Sequence, residues 1–380
     1  MLRLPHLLLL LLITTACGDR PAPAPLSPQA ALGARIFMDR TLSGSGRMSC
    51  ATCHDPGFTH GPPNSQPVQV GGEFEQLFGL RAAPSIRYLE RLPPFDAAHL
   101  NGGFMTDGRA DTLSAQLLLP LFSNRELAAG DAKTLARKVR LGVYGAQFKA
   151  LYGESDAATT VTQIAEALQA FQREEPTLHP YDSKYDQVLA GRERLTAAES
   201  RGLAAFEDPK RGNCAACHTS RAGSDGKPPL FTNFGYAAVG VPRNAAIPAN
   251  EDPTYFDLGL CQRPELAARK DLCGFFRTPS LRNTARRPVY FHNGKMSTLA
   301  QVLDFYATRD TEPARWYPGE KFDDLPPAYR GNISLVAPLD GRPAGSKPAL
   351  NAQDLHDLAC FLSTLNDGHV RGTPAAEDCR

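Results

Sequence analysis

The sequence predicts a mainly α molecule built from two similar halves, and three observations carry that prediction. Cys-x-x-Cys-His occurs twice, as "SCATCHDP" around Cys50 to His54 and "NCAACHTS" around Cys214 to His218. Each copy follows a stretch with Gly and Phe four residues apart: Gly33 and Phe37 in "ALGARIF", Gly202 and Phe206 in "ESRGLAAF". A small residue and an aromatic on one helical face let two helices approach closely. Each half also ends in an amphipathic segment. One is "IAEALQAFQ", with Ile164, Ala167, Leu168 and Phe171 on one face; the other is "LHDLACFLSTL", with Leu355, Leu358, Ala359, Leu362 and Leu365. A chain of 380 residues is long enough for two cores of this kind. With 32 Gly and 32 Pro spread along it, many loops and few strands are expected.

The N-terminus reads as a leader. Arg3 is a short basic segment, and Leu7 to Ile13 is an unbroken apolar run. That run is too short for a bilayer, which takes ~20 residues, but suits a secretory signal. It ends in "TTAC", which resembles a bacterial lipobox with Thr14 where Leu is usual. Cys17 is then lipidated and becomes the mature N-terminus, anchoring a periplasmic lipoprotein. An ordinary signal peptide cut near Ala16 would instead leave Cys17 free. Residues 1–17 are thus the leader, and 18–28, "GDRPAPAPLSP", a Pro-rich tether. The expected domains are 29–186 and 187–380, joined by "HPYDSKYDQVLAGRERLTAAE". The net charge of +1 gives no bulk field for nucleic acid.

An exported chain holds its thiols in an oxidising compartment. Of nine Cys, Cys17 and the two motifs account for five. Cys261, Cys273, Cys360 and Cys379 remain, and four Cys allow three pairings. The most local choice is Cys261–Cys273 with Cys360–Cys379.

Cys-x-x-Cys-His suits covalent haem. Two thiols on one turn add to the haem vinyl groups, and the next His supplies a nitrogen to iron. One copy arises by chance in roughly one chain in 200 of this composition, so two in an exported chain point to haem. A zinc site on Cys50, Cys53, Cys214 and Cys217 would leave both His idle. A dithiol redox centre would want a βαβ pattern that the sequence lacks. His54 and His218 are therefore the expected proximal ligands. Helix, haem motif, loops and closing helix are the plan of a cytochrome c, used twice. The fold class expected is mainly α, with two cytochrome c-like domains, each carrying one covalent c-type haem.

Across residues 30–367 the chain resembles the bacterial di-haem cytochrome c peroxidase family, and its MauG-type branch in particular. The resemblance rests on "DGRA" (107–110), "QLLLPLFSNRE" (116–126), "FRTPSLRNTA" (276–285), "YFHNG" (290–294) and "TLAQVLDFY" (298–306). It implies a peroxidatic haem in the N-terminal half and an electron-transfer haem in the C-terminal half. Glu126 stands where the family carries its catalytic Glu, and Gln116 and Pro120 match its other distal-pocket residues. Without the resemblance, Glu126 would read as an ordinary solvated carboxylate. The peroxidase branch has a Met as sixth ligand of the second haem; the matching position here is Tyr306, as in the MauG branch. Met296 is the weaker candidate, and helix packing is the plainer reading of Tyr306. His60 in "GFTHG" is too close to His54 to reach round a haem, and reads as a loop residue. His292 reads as a supporting group near the second haem.

The chain departs from the family pattern in three places. Thr106 fills the position where the family often has a relay Trp between the haems. Ala82 and Arg287 replace residues of the family's calcium site, so no calcium is expected, with Arg287 supplying positive charge. "TRDTEPARWYPGEKFDDLPPAYR" is an added stretch, and it carries Trp316, the chain's one Trp. Elsewhere, "GGEFEQLFG" lacks the strand and Lys-Ser/Thr of a phosphate loop. His99, His179, His356 and His369 read as structural or solvated, and Arg109 as a partner for a propionate or a local carboxylate. The expected function is an exported peroxidase that takes electrons from a small cytochrome c or cupredoxin. The alternatives are a MauG-like enzyme that uses peroxide to oxidise a side chain of a partner protein, and a pure electron carrier.

Overall fold

The computed structural model describes residues 24–223 and 225–380. The leader, Cys17 and most of the tether lie outside the described residues. Among the described residues there are eleven α-helices. The first half holds α1 (Pro28–Met38), α2 (Cys50–Cys53), α3 (Leu113–Phe122), α4 (Ala132–Leu141), α5 (Gly145–Tyr152) and α6 (Ala157–Glu174). Then come α7 (Lys184–Leu189), α8 (Ala197–Glu207), α9 (Leu299–Thr308), α10 (Pro313–Trp316) and α11 (Ala352–Ser363). The strands are two antiparallel pairs of two residues each: β1 (Val70–Gly71) with β2 (Leu77–Phe78), and β3 (Tyr236–Ala237) with β4 (Phe276–Arg277).

Each half is built on one helix crossing, and the two crossings are copies of each other. In the first, α1 packs on α6. Pro28 sits at the start of α1, where its missing N–H costs nothing, and Ser27 caps the helix by accepting from the Ala30 amide. Ser27 also donates from its amide and its hydroxyl to Glu174 at the end of α6, which fixes the crossing angle. At the contact a Cβ on Gly33 would lie 1.9 Å from the Ala167 carbonyl oxygen, so only Gly fits. In the second crossing α8 packs on α11. A Cβ on Gly202 would lie 2.0 Å from the Asp357 carbonyl oxygen. The aromatics repeat too: Phe37 and Phe171 are 5.3 Å apart, Phe206 and Phe361 5.4 Å. Capping boxes start both later helices, from Thr196 to Glu199 and from Asn351 to Asp354.

Around each crossing grows a separate core. Leu32, Ile36, Leu121, Leu135 and Ile164 lie in the first; Phe206, Phe231, Leu358 and Phe361 lie in the second. Each such side chain contributes roughly 1.5–3 kcal/mol by leaving water. Leu178 belongs to the first core and Tyr185 to the second, so the packing changes over just ahead of α7. Two disulfides fasten the loops of the second half. Cys261–Cys273 closes a small apolar cluster, and Cys360–Cys379 ties the C-terminal tail to α11.

Buried ion pairs brace the second half and lock it to the first. Arg282 grips Asp186 with two nitrogens, at 2.7 and 2.9 Å, and both side chains are almost fully buried. Asp367 accepts from Arg87 at 2.8 Å, Asn283 at 2.5 Å and the Tyr88 hydroxyl at 2.5 Å. Arg81 of the first half spans Asp257 of the second, at 2.6 Å, and its own Asp107, at 3.0 Å.

Candidate active site

The first Cys-x-x-Cys-His forms the short helix α2. Ser49 and Thr52 make a capping box that starts it, and the His54 amide closes it on the Cys50 carbonyl at 3.0 Å. Cys50 and Cys53 are half-buried free thiols. Burial pushes Cys50 up to about 12 and Cys53 to about 11, and the charge of Glu126 adds to both. Burial pulls His54 down to about 4, so its imidazole is neutral at pH 7. Its Nδ1 is buried with no hydrogen-bond partner, although the His60 and Pro84 carbonyls lie close. His60 is indeed in the loop, in a left-handed turn at φ 54°, but it is buried rather than solvated. Its carbonyl faces His54, so the loop cups the imidazole instead of reaching a far face.

The fold brings Glu126 to these thiols. Gly72 donates to the Glu126 carbonyl at 2.8 Å, and a Cβ on Gly71 would meet the Glu126 backbone at 2.7–2.8 Å. "GGEFEQLFG" is thus the β1–β2 hairpin that props up Glu126, a role its sequence does not announce. Pro120 lies inside α3 and its carbonyl accepts from Leu127 at 3.1 Å, turning the chain toward Glu126. Lacking an N–H, Pro120 also leaves the Gln116 carbonyl without a helical donor. The Gln116 Oε1 is buried without a partner. Burial raises the Glu126 carboxyl above its usual range, with Ser123 and Arg109 opposing. Arg109 itself pairs with Asp107, at 2.7 Å.

The second motif forms a short 3-10 turn, Cys214–Ala216, entered through Asn213 at φ 47°. The His218 Nδ1 lies 2.9 Å from the Phe231 carbonyl. A carbonyl only accepts, so Nδ1 carries the proton and Nε2 offers its lone pair. Cys214, Cys217, His218 and Tyr306 line one cavity of about 340 Å³. Burial pushes the Tyr306 phenol well above its usual range, and the two thiols add to the effect. Met296 is buried in the neighbouring core with Tyr290, Phe305 and Tyr317. Phe322 and Leu325 of the added stretch also wall the cavity, and Trp316 packs on Phe305 at 5.4 Å.

The cavity reaches the first half at Ala82, Pro84 and Thr106. Arg277 and Arg287 line it, both half-buried, and neither has a carboxylate partner among the described residues. Burial pulls both below the ordinary arginine value. Arg287 donates to the Ala83 carbonyl at 3.0 Å and lies near enough to His54 to depress its imidazole. Next to Thr106, the His292 ring stacks on Phe276 at 3.7 Å, with Arg81 over Phe276 at 5.4 Å. The segment "FRTPSLRNTA" carries both Arg277 and Arg282, whose roles are hidden in the sequence because a lone inward-facing Arg leaves no periodic signal. Free thiols beside neutral imidazoles, orphaned polar atoms, and unpaired cations around an apolar cavity together fit haem, an apolar ring with carboxylate tails.

The fold and site define a mainly α protein with two Cys-x-x-Cys-His centres suited to haem. A family model described as di-haem cytochrome c peroxidase matches residues 27–194. Methylamine utilization protein MauG of Paracoccus denitrificans is 33% identical over 398 aligned positions, spanning 100% of this chain and 99% of that protein. The crystal structure of the diheme peroxidase BthA from Burkholderia thailandensis superposes with a TM-score of 0.85 at 40% identity, covering 94% of this chain and 90% of that one. Cytochrome c551 peroxidase of Pseudomonas aeruginosa is 28% identical over 72% of this chain and 70% of its own length. The chain belongs to the di-haem cytochrome c peroxidase family, an oxidoreductase family whose cofactor is haem.

Proposed function

We propose that the protein is an exported di-haem peroxidase that reduces hydrogen peroxide at the His54 centre, with electrons passed through the His218 centre. The observation that carries this reading is Glu126, a carboxyl held by backbone contacts beside Cys50 and Cys53. One haem would be held by Cys50, Cys53 and His54, the other by Cys214, Cys217, His218 and Tyr306; bound there, they would supply peroxide binding and electron storage. Glu126 takes the proton from the near oxygen of peroxide and returns it to the far oxygen, which leaves as water. The buried Gln116 Oε1 would accept a hydrogen bond from the peroxide, and Pro120 turns the chain toward Glu126. Two electrons and two further protons complete the reduction to two waters. The electrons come from a small redox protein, a cytochrome c or a cupredoxin.

A second reading has specific support. Tyr306 is an anionic oxygen donor when ionised, and such a donor favours oxidised iron over reduced iron. The protein then uses peroxide, MauG-like, to oxidise a side chain of a partner protein. The leader and the two disulfides support a periplasmic location, with Cys17 as lipid anchor; intact mass of the mature protein tests the lipid. Arg287 supplies the charge for which the family uses calcium, so activity is expected to survive a chelator.

Peroxide titration of the fully oxidised, haem-loaded protein tests the proposal. Glu126→Gln is expected to slow the peroxide reaction by ~10²–10⁴-fold while the resting spectrum stays unchanged. An unchanged rate would remove Glu126 from the chemistry. No reaction at all in the wild-type protein before one electron is added would mean a closed first centre.

A further inference from the structure

Beside the ion-pair lock lies a pair of tyrosines that the peroxide reaction does not use. Tyr88 is buried on the wall of the His218 cavity. Its ring meets that of Tyr181 edge-on, at 4.9 Å. The Tyr88 hydroxyl donates to Asp367 at 2.5 Å, and the Tyr181 hydroxyl donates to Glu90 at 3.1 Å. Tyr181 is half-buried, with the exposed Lys227 ammonium 6.0 Å from its ring. The pair thus runs from the cavity toward the surface, and each phenol has its own carboxylate.

Resting on the function proposed above, we propose that Tyr181, with Glu90 as its proton acceptor and Tyr88 as the intermediate step, is the port through which electrons reach the His218 centre. The Arg282 guanidinium lies 5.0 Å from both rings. A cationic ring radical beside that charge is strongly disfavoured. Only a neutral phenoxyl radical fits, so oxidation must release the phenol proton to a base. Asp367 already serves Arg87 and Asn283 through its second oxygen. Glu90 is different: its Oε2 is buried and has no hydrogen-bond partner among the described residues. The oxidised state therefore settles on Tyr181 rather than Tyr88. Burial pushes the Tyr181 phenol up to about 12, which keeps its proton in place, directed at Glu90, until the electron leaves.

The step balances. The Tyr181 phenol gives one electron through Tyr88 to the oxidised His218 centre and its proton to the Glu90 carboxylate. The products are a neutral phenoxyl, a neutral Glu90 carboxyl and a centre reduced by one electron. A one-electron donor at the surface then refills Tyr181, and Glu90 returns the proton. Two such cycles supply the two electrons that one peroxide consumes. The competing exit is Trp316, whose Nε1–H donates to the Thr308 hydroxyl at 3.0 Å. It has no carboxylate partner among the described residues, and the ring next to it is Phe305, which is hard to oxidise.

The test is freeze-quench electron paramagnetic resonance of the di-haem protein mixed with stoichiometric peroxide, alongside the haem optical change. A tyrosyl signal is expected in the wild-type protein. It should be lost in Tyr181→Phe and in Glu90→Gln, which keeps the side-chain shape, and kept in Trp316→Phe. The first-turnover haem change should match the wild type in all three, and donor oxidation should slow only in the first two. A signal and a donor rate that survive both Tyr181→Phe and Glu90→Gln overturn the relay, as does a signal lost only in Trp316→Phe. A wild-type haem spectrum unmoved by peroxide overturns the peroxidase reading instead, and the relay with it.

Discussion

At the residue scale, Glu126 and Tyr306 carry opposite demands. Glu126 must be ionised to accept the first proton. Burial holds its carboxyl above the usual range, against Ser123 and Arg109 and with the thiols of Cys50 and Cys53 facing it. Its ionised fraction falls as pH drops through that raised value. The peroxide rate is therefore expected to decline on the acid side at a pH above ~4.3, the ordinary Glu value, and the decline should vanish in Glu126→Gln. Tyr306 lines the cavity beside Cys214, Cys217 and His218, and in the function proposed it acts as a ligand of the second haem. Replacing it by Met exchanges a hard anionic donor for a thioether, which raises haem potential. Tyr306→Met is expected to raise the potential of the second haem alone, read by spectroelectrochemistry, and to make the peroxide reaction depend on prior reduction. Equal potentials in the two proteins would show that Tyr306 only packs.

At the scale of the elements, the two helix crossings were the most legible part of the sequence. Gly33 with Phe37 and Gly202 with Phe206 sit four apart, and the structure presses each Gly on a backbone carbonyl of the closing helix. Gly33→Ala and Gly202→Ala should each cost about 1–3 kcal/mol, because a methyl there pushes against backbone that cannot yield. Each substitution should broaden the signals of its own half first, which separates them by denaturant unfolding followed at the two haems. The local disulfide pairing was legible too, since sequence-near Cys in exported loops find each other easily. The β1–β2 hairpin was not. Its two-residue strands carry no periodicity, and its reason for two glycines is Glu126, over fifty residues further on.

At the scale of the whole molecule, the lock between the halves was invisible in the sequence. Arg282, Asp186, Asp367 and the neighbours Arg87 and Tyr88 lie in four separate segments, and only tertiary contact makes them one network. Burial alone would raise Asp186, Asp107 and Asp257, yet the guanidiniums facing them hold all three below the usual range. The folded chain then binds fewer protons than the unfolded one in acid. The stabilisation is fully present above the unfolded value of ~3.9 and is lost as pH falls through the lower folded values. Thermal unfolding across pH 2–6, roughly, should show that loss, and Asp186→Asn should cut it. Leaving Arg282 without Asp186 is expected to cost about 3–5 kcal/mol at neutral pH.

The cavity that holds His218 and Tyr306 has a consequence for how the protein matures. Its wall draws on both halves and carries two guanidiniums, Arg277 and Arg287, with no carboxylate among the described residues to neutralise them. A chain that has not yet received its haem therefore keeps uncompensated charge at its centre, and its halves close at a penalty. Attachment of the cofactor removes that penalty from the inside. Haem loading is then expected to act as a quality checkpoint, with the haem-free chain looser and cut faster by a protease than the loaded one. Limited proteolysis of the two forms would read the difference directly.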